Sequence, residues 1–211
     1  MKKAAIFCSG EMDDDSVWPA AEREQFLVIC ADGGLRHARR LGITPDVVIG
    51  DCDSSKEPYP SSVAQFVYPP EKDATDTNLC LDYALSLGCT QIWLFGGIGG
   101  RLDHEFSHFC LLLYALRRGA EVKMVNGQNE IWMIDHSFFL ERTEKKYVSF
   151  FPYGGPVEDF CIRGLKYEAD HMYLDCGKVQ ASCNEFAQED IAQISFREGG
   201  ILLVMLSKDK T

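Results

Sequence analysis

Two things are missing from this chain: a C-x-x-C pair, and any run of about 18 uninterrupted apolar residues. Nine cysteines, an odd number, are scattered through apolar segments at Cys8, Cys30, Cys52, Cys80, Cys89, Cys110, Cys161, Cys176 and Cys183. That distribution argues for reduced thiols used as small hydrophobes, against a disulfide framework or a zinc motif. The lack of a long apolar run argues against a transmembrane helix. Met1-Lys2-Lys3 leads into a short mixed stretch that reaches Glu11, so no signal peptide is expected and the expected address is the cytoplasm. Basic residues are also scarce, 21 against 32 acids for a net charge of −11, which disfavours nucleic-acid and anionic-membrane partners. An acidic chain that handles phosphates needs cations as intermediaries.

The chain also has no repeat, no low-complexity run and no Pro-, Ser- or Gly-rich linker. What it does have is 46% hydrophobic content over 211 residues, enough for one large domain or two small ones that pack together. Up to about residue 126 the pattern alternates strand and helix. Strands are expected at Ala4–Cys8, Phe26–Cys30, Asp46–Ile49, Val63–Tyr68, Gln91–Phe95 and Val122–Val125, with helices at Leu35–Leu41, Asn78–Leu87 and His104–Arg118. Ser54 to Ser62, rich in Pro, Ser and charge, reads as an exposed loop or short helix. This alternation predicts an α/β domain with a mostly parallel sheet covered on both faces. From residue 127 short strands broken by turns follow, at Ile131–Ile134, Ser137–Leu140, Tyr147–Phe151, Phe160–Arg163, His171–Leu174, Asp190–Phe196 and Ile201–Leu206. They predict a small all-β sandwich over 127–211.

The strand at Asp46–Ile49 runs through Gly50 into Asp51-Cys52-Asp53-Ser54. Two acids at alternate positions can hold a divalent cation, although an Asp-x-Asp-Ser stretch alone also fits an acidic turn or cap. A second acidic cluster, Asp73-Ala74-Thr75-Asp76, precedes a helix, and Thr75 or Asp76 is a natural N-cap. Capping leaves Asp73 or Asp76 without a structural task. Gly96-Gly97-Ile98-Gly99-Gly100-Arg101-Leu102-Asp103-His104 follows the next strand. Four glycines in five residues suit a backbone that passes close to a ligand, with Arg101 available for phosphate and Asp103 as a further carboxylate. Ala31-Asp32-Gly33-Gly34 fits either a plain βα turn or an anion site at a helix N-terminus. His104 and His108, four apart on a helix, fit an ordinary helix start better than a chelate, since no third soft ligand lies nearby in sequence.

Taken in order, Ala31-Asp32-Gly33-Gly34, Pro45-Asp46 through Gly50-Asp51-Cys52-Asp53-Ser54, Asp73-Ala74-Thr75-Asp76 and Gly99-Gly100-Arg101-Leu102-Asp103-His104 resemble the thiamine pyrophosphokinase (thiamin diphosphokinase) family. Gly164-Leu165-Lys166-Tyr167 and Asn184-Glu185-Phe186 resemble its vitamin-binding half, so the likeness covers roughly residues 4 to 207. The resemblance implies a cytoplasmic homodimeric transferase that moves pyrophosphate from ATP to the hydroxyl of thiamine, releasing AMP. It implies that Asp51, Asp53, Asp76 and Asp103 are catalytic and position Mg²⁺. Asp32, Gly33, Gly34, Thr75, Gly100 and Arg101 would then lie at the nucleotide, and Asp73, Tyr167, Ser182, Cys183 and Asn184 at the substrate, with Asp76 a candidate to accept the hydroxyl proton. The family often carries Trp where this chain has Tyr167, and Ser where it has Cys183. Those two departures motivate an alternative reading, a Mg²⁺-dependent kinase for another aromatic alcohol. A nucleotide-binding regulator without catalysis is a further alternative, and the presence of all four acids speaks against it.

Overall fold

The computed structural model describes residues 1–51, 62–69, 71 and 73–210. It divides into two compact units, Met1–Gly127 and Gln128–Thr211.

Among its described residues the first unit contains six strands, β1 (Lys2–Phe7), β2 (Phe26–Ala31), β3 (Val47–Gly50), β4 (Ala64–Val67), β5 (Cys89–Phe95) and β6 (Glu121–Val125). They pair in parallel in the order β6-β5-β1-β2-β3-β4. Ala4, Ala5, Ile6 and Phe7 are consecutive and each fully buried, which a strand achieves only when both faces of its sheet are covered. The cover comes from α1 (Leu35–Arg40) against β1 and β2, α2 (Asp76–Ser86) against β1, β2, β3 and β5, and α3 (Leu102–Leu116) against β6. On one face Phe7, Val28 and Cys30 pack with Leu35, Ala38 and Trp18. Phe7 stacks on Phe95 at 5.2 Å, which ties β1 to β5.

From β1 the chain steps outward through β2, β3 and β4, then returns to place β5 on the other side of β1. The order therefore reverses between β1 and β5. In open parallel sheets a crevice for ligands opens outside the C-terminal strand ends at such a point.

Two helix starts lie earlier than the periodicity predicts. Thr75 caps α2 by accepting the amide of Asn78 at 3.2 Å, so the helix begins at Asp76 and not Asn78. The third helix begins at Leu102 and not His104. Asp76 and Asp103 consequently sit in first turns, where the helix dipole favours negative charge. The loop or short helix expected from Ser54 to Ser62 lies, up to residue 61, outside the described residues.

The second unit contains β7 (Asn129–Ile134), β8 (Phe138–Glu141), β9 (Tyr147–Pro152), β10 (Val157–Arg163), β11 (Ala169–Leu174), β12 (Ala181–Asn184), β13 (Ile191–Ser195) and β14 (Leu202–Ser207). They form two antiparallel layers, β12-β9-β14-β7 and β11-β10-β13-β8. Trp132, Val148, Phe150 and Val204 of one layer share a core with Phe160, Ile162, Ala192 and Ile194 of the other. The Phe150 and Phe160 rings meet edge to face at 5.5 Å. This is the predicted sandwich with one strand more, β12, which the polar run Ala-Ser-Cys-Asn conceals.

Candidate active site

Because its six strands are parallel, the first unit gathers all their C-terminal ends at one edge. The acids of the sequence motifs arrive there from separate elements: Asp32 after β2, Asp51 after β3 and Asp76 at the start of α2. One carboxylate oxygen from each lies within 4.8 Å of those of the other two. Asp32 is buried, in a left-handed backbone conformation with φ 37°, while Asp51 and Asp76 are half-buried. Gly50 makes the approach possible. A Cβ at that position would lie 2.5 Å from the Cβ of Asp32.

Two unit charges about 5 Å apart repel by roughly 3 kcal/mol at an effective dielectric near 20. Three carboxylates this close therefore favour a bound cation. An all-oxygen donor set suits a hard divalent ion such as Mg²⁺, which takes one or two carboxylates and completes its shell with water and phosphate oxygens. The residues present thus fit the metal that the resemblance implies.

Beside the triad lies a cavity of about 630 Å³ walled by Ser9, Gly10 and Glu11 after β1, Asp51, Asp73 to Thr77, and the loop after β5 with Gly96, Gly97, Gly99, Gly100 and Arg101. Arg36 and the α3 residues His104, Glu105, Ser107 and His108 complete it. Its position is the crevice between β1 and β5, and its size is ordinary for a small-molecule site. The two loops touch backbone to backbone, since a Cβ on Gly10 would meet the Gly96 carbonyl at 2.4 Å.

Side chains lock both loops. Arg36 donates to the carbonyls of Ser9 and Gly10 at 2.6 and 2.8 Å, and His37 Nε2 donates to Gly10 O at 2.8 Å. On the other side His108 Nδ1 donates to Gly97 O at 2.8 Å, and Glu105 accepts the Gly99 amide at 2.8 Å. Burial lowers both His37 and His108 below the ordinary imidazole value, so each loop is held by a neutral ring. Burial also pushes the Cys8 thiol, at the end of β1, up to about 12, and raises Cys30 and Cys80. These thiols are packing groups and not nucleophiles.

The remaining sequence-predicted residues fall in several places. Asp73, Thr75, Gly100 and Arg101 line the cavity. Asp103 stands apart from the triad: it is exposed, and Arg101 grips it through bonds of 3.1 and 2.6 Å. The hydrogen bond from Arg101 lowers the Asp103 carboxyl below its usual value. Gly33 and Gly34 are buried, and the need for glycine at 34 comes from β1, whose Phe7 carbonyl would lie 1.9 Å from a Cβ there. Asp53 lies outside the described residues. Sequence reasoning missed Glu11, Arg36, Glu105 and Ser107 as wall residues. The signal for Arg36 and Glu105 was their place on helices that begin at the same sheet edge.

In the second unit Asn184 is buried and clamps Tyr167. Its Oδ1 accepts the amides of Tyr167 and Glu185 at 3.0 and 2.9 Å, and its Nδ2 donates to Tyr167 O at 2.7 Å. Tyr167 is left 61% exposed, with the Lys166 ammonium over one face of its ring, 5.3 Å from the centroid. Cys183 is exposed with φ 55°, and its amide bonds the Ser149 hydroxyl at 3.0 Å, while Ser182 is half-buried beside it on β12.

Known proteins match this arrangement. The profile of the thiamin pyrophosphokinase catalytic domain matches residues 19–124, and that of the thiamin pyrophosphokinase vitamin B1 binding domain matches residues 135–201. The thiamine pyrophosphokinase of Bacillus subtilis (strain 168) is 31% identical over 193 residues, 88% of this chain and 89% of the relative. A crystal structure of thiamine pyrophosphokinase from Bacillus subtilis superposes with a TM-score of 0.90 at 27% identity, over 99% of this chain and 100% of the other. The yeast thiamin pyrophosphokinase structure, at 16% identity, shares the fold with a TM-score of 0.77 over 97% of this chain and 86% of its own.

Proposed function

The chain belongs to the thiamin pyrophosphokinase family, and from that premise we propose a Mg²⁺-dependent transfer of pyrophosphate from ATP to the hydroxyl of thiamine, yielding thiamine diphosphate and AMP. The observation that carries the metal-dependent part is the convergence of Asp32, Asp51 and Asp76 beside a cavity at the strand-order reversal.

In this reading Asp51 and Asp76, with Asp32 joining them from below, hold Mg²⁺, and Asp53 belongs to the same set by its motif. When bound, the ion neutralises phosphate charge and orients the β-phosphorus for in-line attack. The chain's own residues do the rest. Backbone amides of the loops after β1 and β5 face the phosphates, and Arg101 at the rim offers its guanidinium to them, released from Asp103 or sharing it. Arg36, His37, Glu105 and His108 act through the loops they hold. Asp76 is the carboxylate assigned to take the hydroxyl proton. Residues 1–126 form the catalytic part and 127–211 the thiamine-binding part, where the exposed Tyr167 ring offers a face to the cationic, aromatic vitamin. Asn184 fixes the loop that presents it, and Ser182 and Cys183 lie on the same strand. A cytoplasmic homodimer completes the proposal. Among the described residues no helix is long and apolar enough to cross a membrane.

The direct test incubates the protein with ATP, MgCl₂ and thiamine and separates the products by chromatography. AMP and thiamine diphosphate are expected in equal amounts. An AMP yield no greater than in a thiamine-free control rejects the proposed reaction, and undiminished yield in excess EDTA rejects its metal dependence.

A further inference from the structure

The antiparallel pair β10–β11 in the second unit is broken twice. Its register runs Val157↔Leu174, Phe160↔Met172 and Ile162↔Ala169, so each strand carries one extra residue between pairs. Two non-glycine residues with left-handed backbones sit at these breaks, Asp159 (φ 51°) and His171 (φ 46°). In a regular strand consecutive side chains point to opposite faces. Here the bulge turns Asp170 and His171 the same way, toward Cys161 across the ladder. One donor atom from each of Cys161, Asp170 and His171 lies within 4.8 Å of the others.

From this convergence we propose a binding site for a zinc-type divalent cation, built from Cys161 Sγ, one imidazole nitrogen of His171 and one carboxylate oxygen of Asp170. The sequence holds no zinc motif because two strands, not one short segment, bring the ligands together. The donor chemistry selects the ion. Sulfur and imidazole with one carboxylate suit Zn²⁺, whereas Mg²⁺ prefers oxygen donors alone. Zinc bonds of about 2.0 to 2.3 Å bring tetrahedral donors to about 3.5 Å apart, so binding closes a spread of up to 4.8 Å by at most about 1.3 Å. The exposed side chains of Asp170 and His171 make that adjustment toward the half-buried Cys161 without disturbing the core. The Cys161 thiol proton leaves to solvent as the metal–sulfur bond forms, and water takes the fourth position.

The surroundings support the ligands as an outer shell does. The His171 amide donates to Cys161 Sγ at 3.3 Å. Arg163 donates to one oxygen of Asp170 at 2.6 Å, fixing that carboxylate and keeping it ionised. Asp159 Oδ1 lies 3.7 Å from His171 Nδ1, and Arg197 holds Asp159 in turn, with Glu158 on the same guanidinium. Surface ion pairing accounts for Arg163 with Asp170 and for Arg197 with its two acids. It does not account for a thiol and an imidazole meeting the same carboxylate across a doubly bulged ladder.

The test uses the reduced full-length protein. Titration with Co²⁺ is expected to give a sulfur-to-cobalt charge-transfer band that saturates at one equivalent and is suppressed by Zn²⁺. Cys161→Ser abolishes the band. His171→Asn, a residue that tolerates the left-handed backbone, weakens Co²⁺ binding by about tenfold or more. Asp51→Ala leaves the band intact, which separates this site from the carboxylate triad. In the unmutated protein Zn²⁺ protects Cys161 from alkylation, located by mass spectrometry, so the result does not depend on a variant that folds poorly. Absence of the band, its survival in Cys161→Ser, or equal labelling of Cys161 with and without Zn²⁺ overturns the proposal.

Discussion

The two units reach their chemically important geometry by opposite routes. In the first, the groups meet where strands end: a parallel sheet points every C-terminus to one edge, and topology alone delivers Asp32, Asp51 and the glycine loops together. In the second, they meet where the ladder breaks. Asp159, His171 and Cys183 all adopt positive φ inside or beside strands, and each re-aims side chains that regular pairing would separate. Asn184 clamps its loop with a side chain, as Arg36, His37, Glu105 and His108 do for the loops of the first unit. A site made from strand ends depends on backbone clearance, as at Gly10, Gly34 and Gly50. A site made from irregularities depends on the particular residues that create them.

The widest separation between the two routes is expected from Asp51→Ala. Removing a half-buried carboxylate from the triad should lower turnover about a hundred- to a thousandfold with little change in melting temperature, because the core is untouched. Steady-state AMP release and thermal unfolding check this together, and undiminished turnover would take Asp51 out of the metal set. Gly50→Ala probes clearance. Its new Cβ would collide with Asp32, so a loss of about 1–3 kcal/mol in stability is expected with a raised Mg²⁺ requirement, read by melting and by Mg²⁺ titration of activity.

The neutral histidines give a smaller, pH-dependent difference. Burial lowers the folded pKa of His37 and His108, so the unfolded chain takes up protons first as pH falls. Their contribution is complete above about pH 6.5 and is lost below it, by at most about 1.4 kcal/mol per pH unit for each ring. His108→Gln should flatten the dependence of melting temperature on pH between about pH 7 and pH 5, and an unchanged slope would remove His108 as a source. The smallest effect belongs to the second unit. Tyr167→Ala deletes an exposed ring held by backbone bonds, so KM for thiamine should rise about fivefold at constant kcat and stability. An unchanged KM would leave the ring without a role in binding.

The first unit was the more legible in sequence, for a physical reason. Buried parallel strands such as Ala4–Phe7 and Val47–Ile49 are unbroken apolar runs, and their glycine and acid exits follow at once. What escaped was contact made in space. Asp32 reads as part of a glycine turn, and only the fold brings it under Gly50 to meet Asp51 and Asp76. Asp103 reads as one acid among several, yet Arg101 two residues earlier engages it. In the sandwich, alternation revealed most strands but not β12, whose Cys183 breaks the period that would announce it. Cys161 and His171 look unrelated because ten residues separate them and no spacing rule describes a bulge.

The strand-order reversal at β1 also governs when the crevice can exist during folding. Its two walls belong to strands whose partners begin as Lys2↔Cys89, so the chain must close a loop of more than eighty residues before Gly10 meets Gly96. Such non-local pairing forms slowly compared with helix or hairpin contacts. On the ribosome, a nascent chain that has not yet released β5 has only one side of the crevice. The crevice is therefore a non-local feature of the first unit, and its second wall forms only once β5 has emerged, with α3 and β6 still to follow.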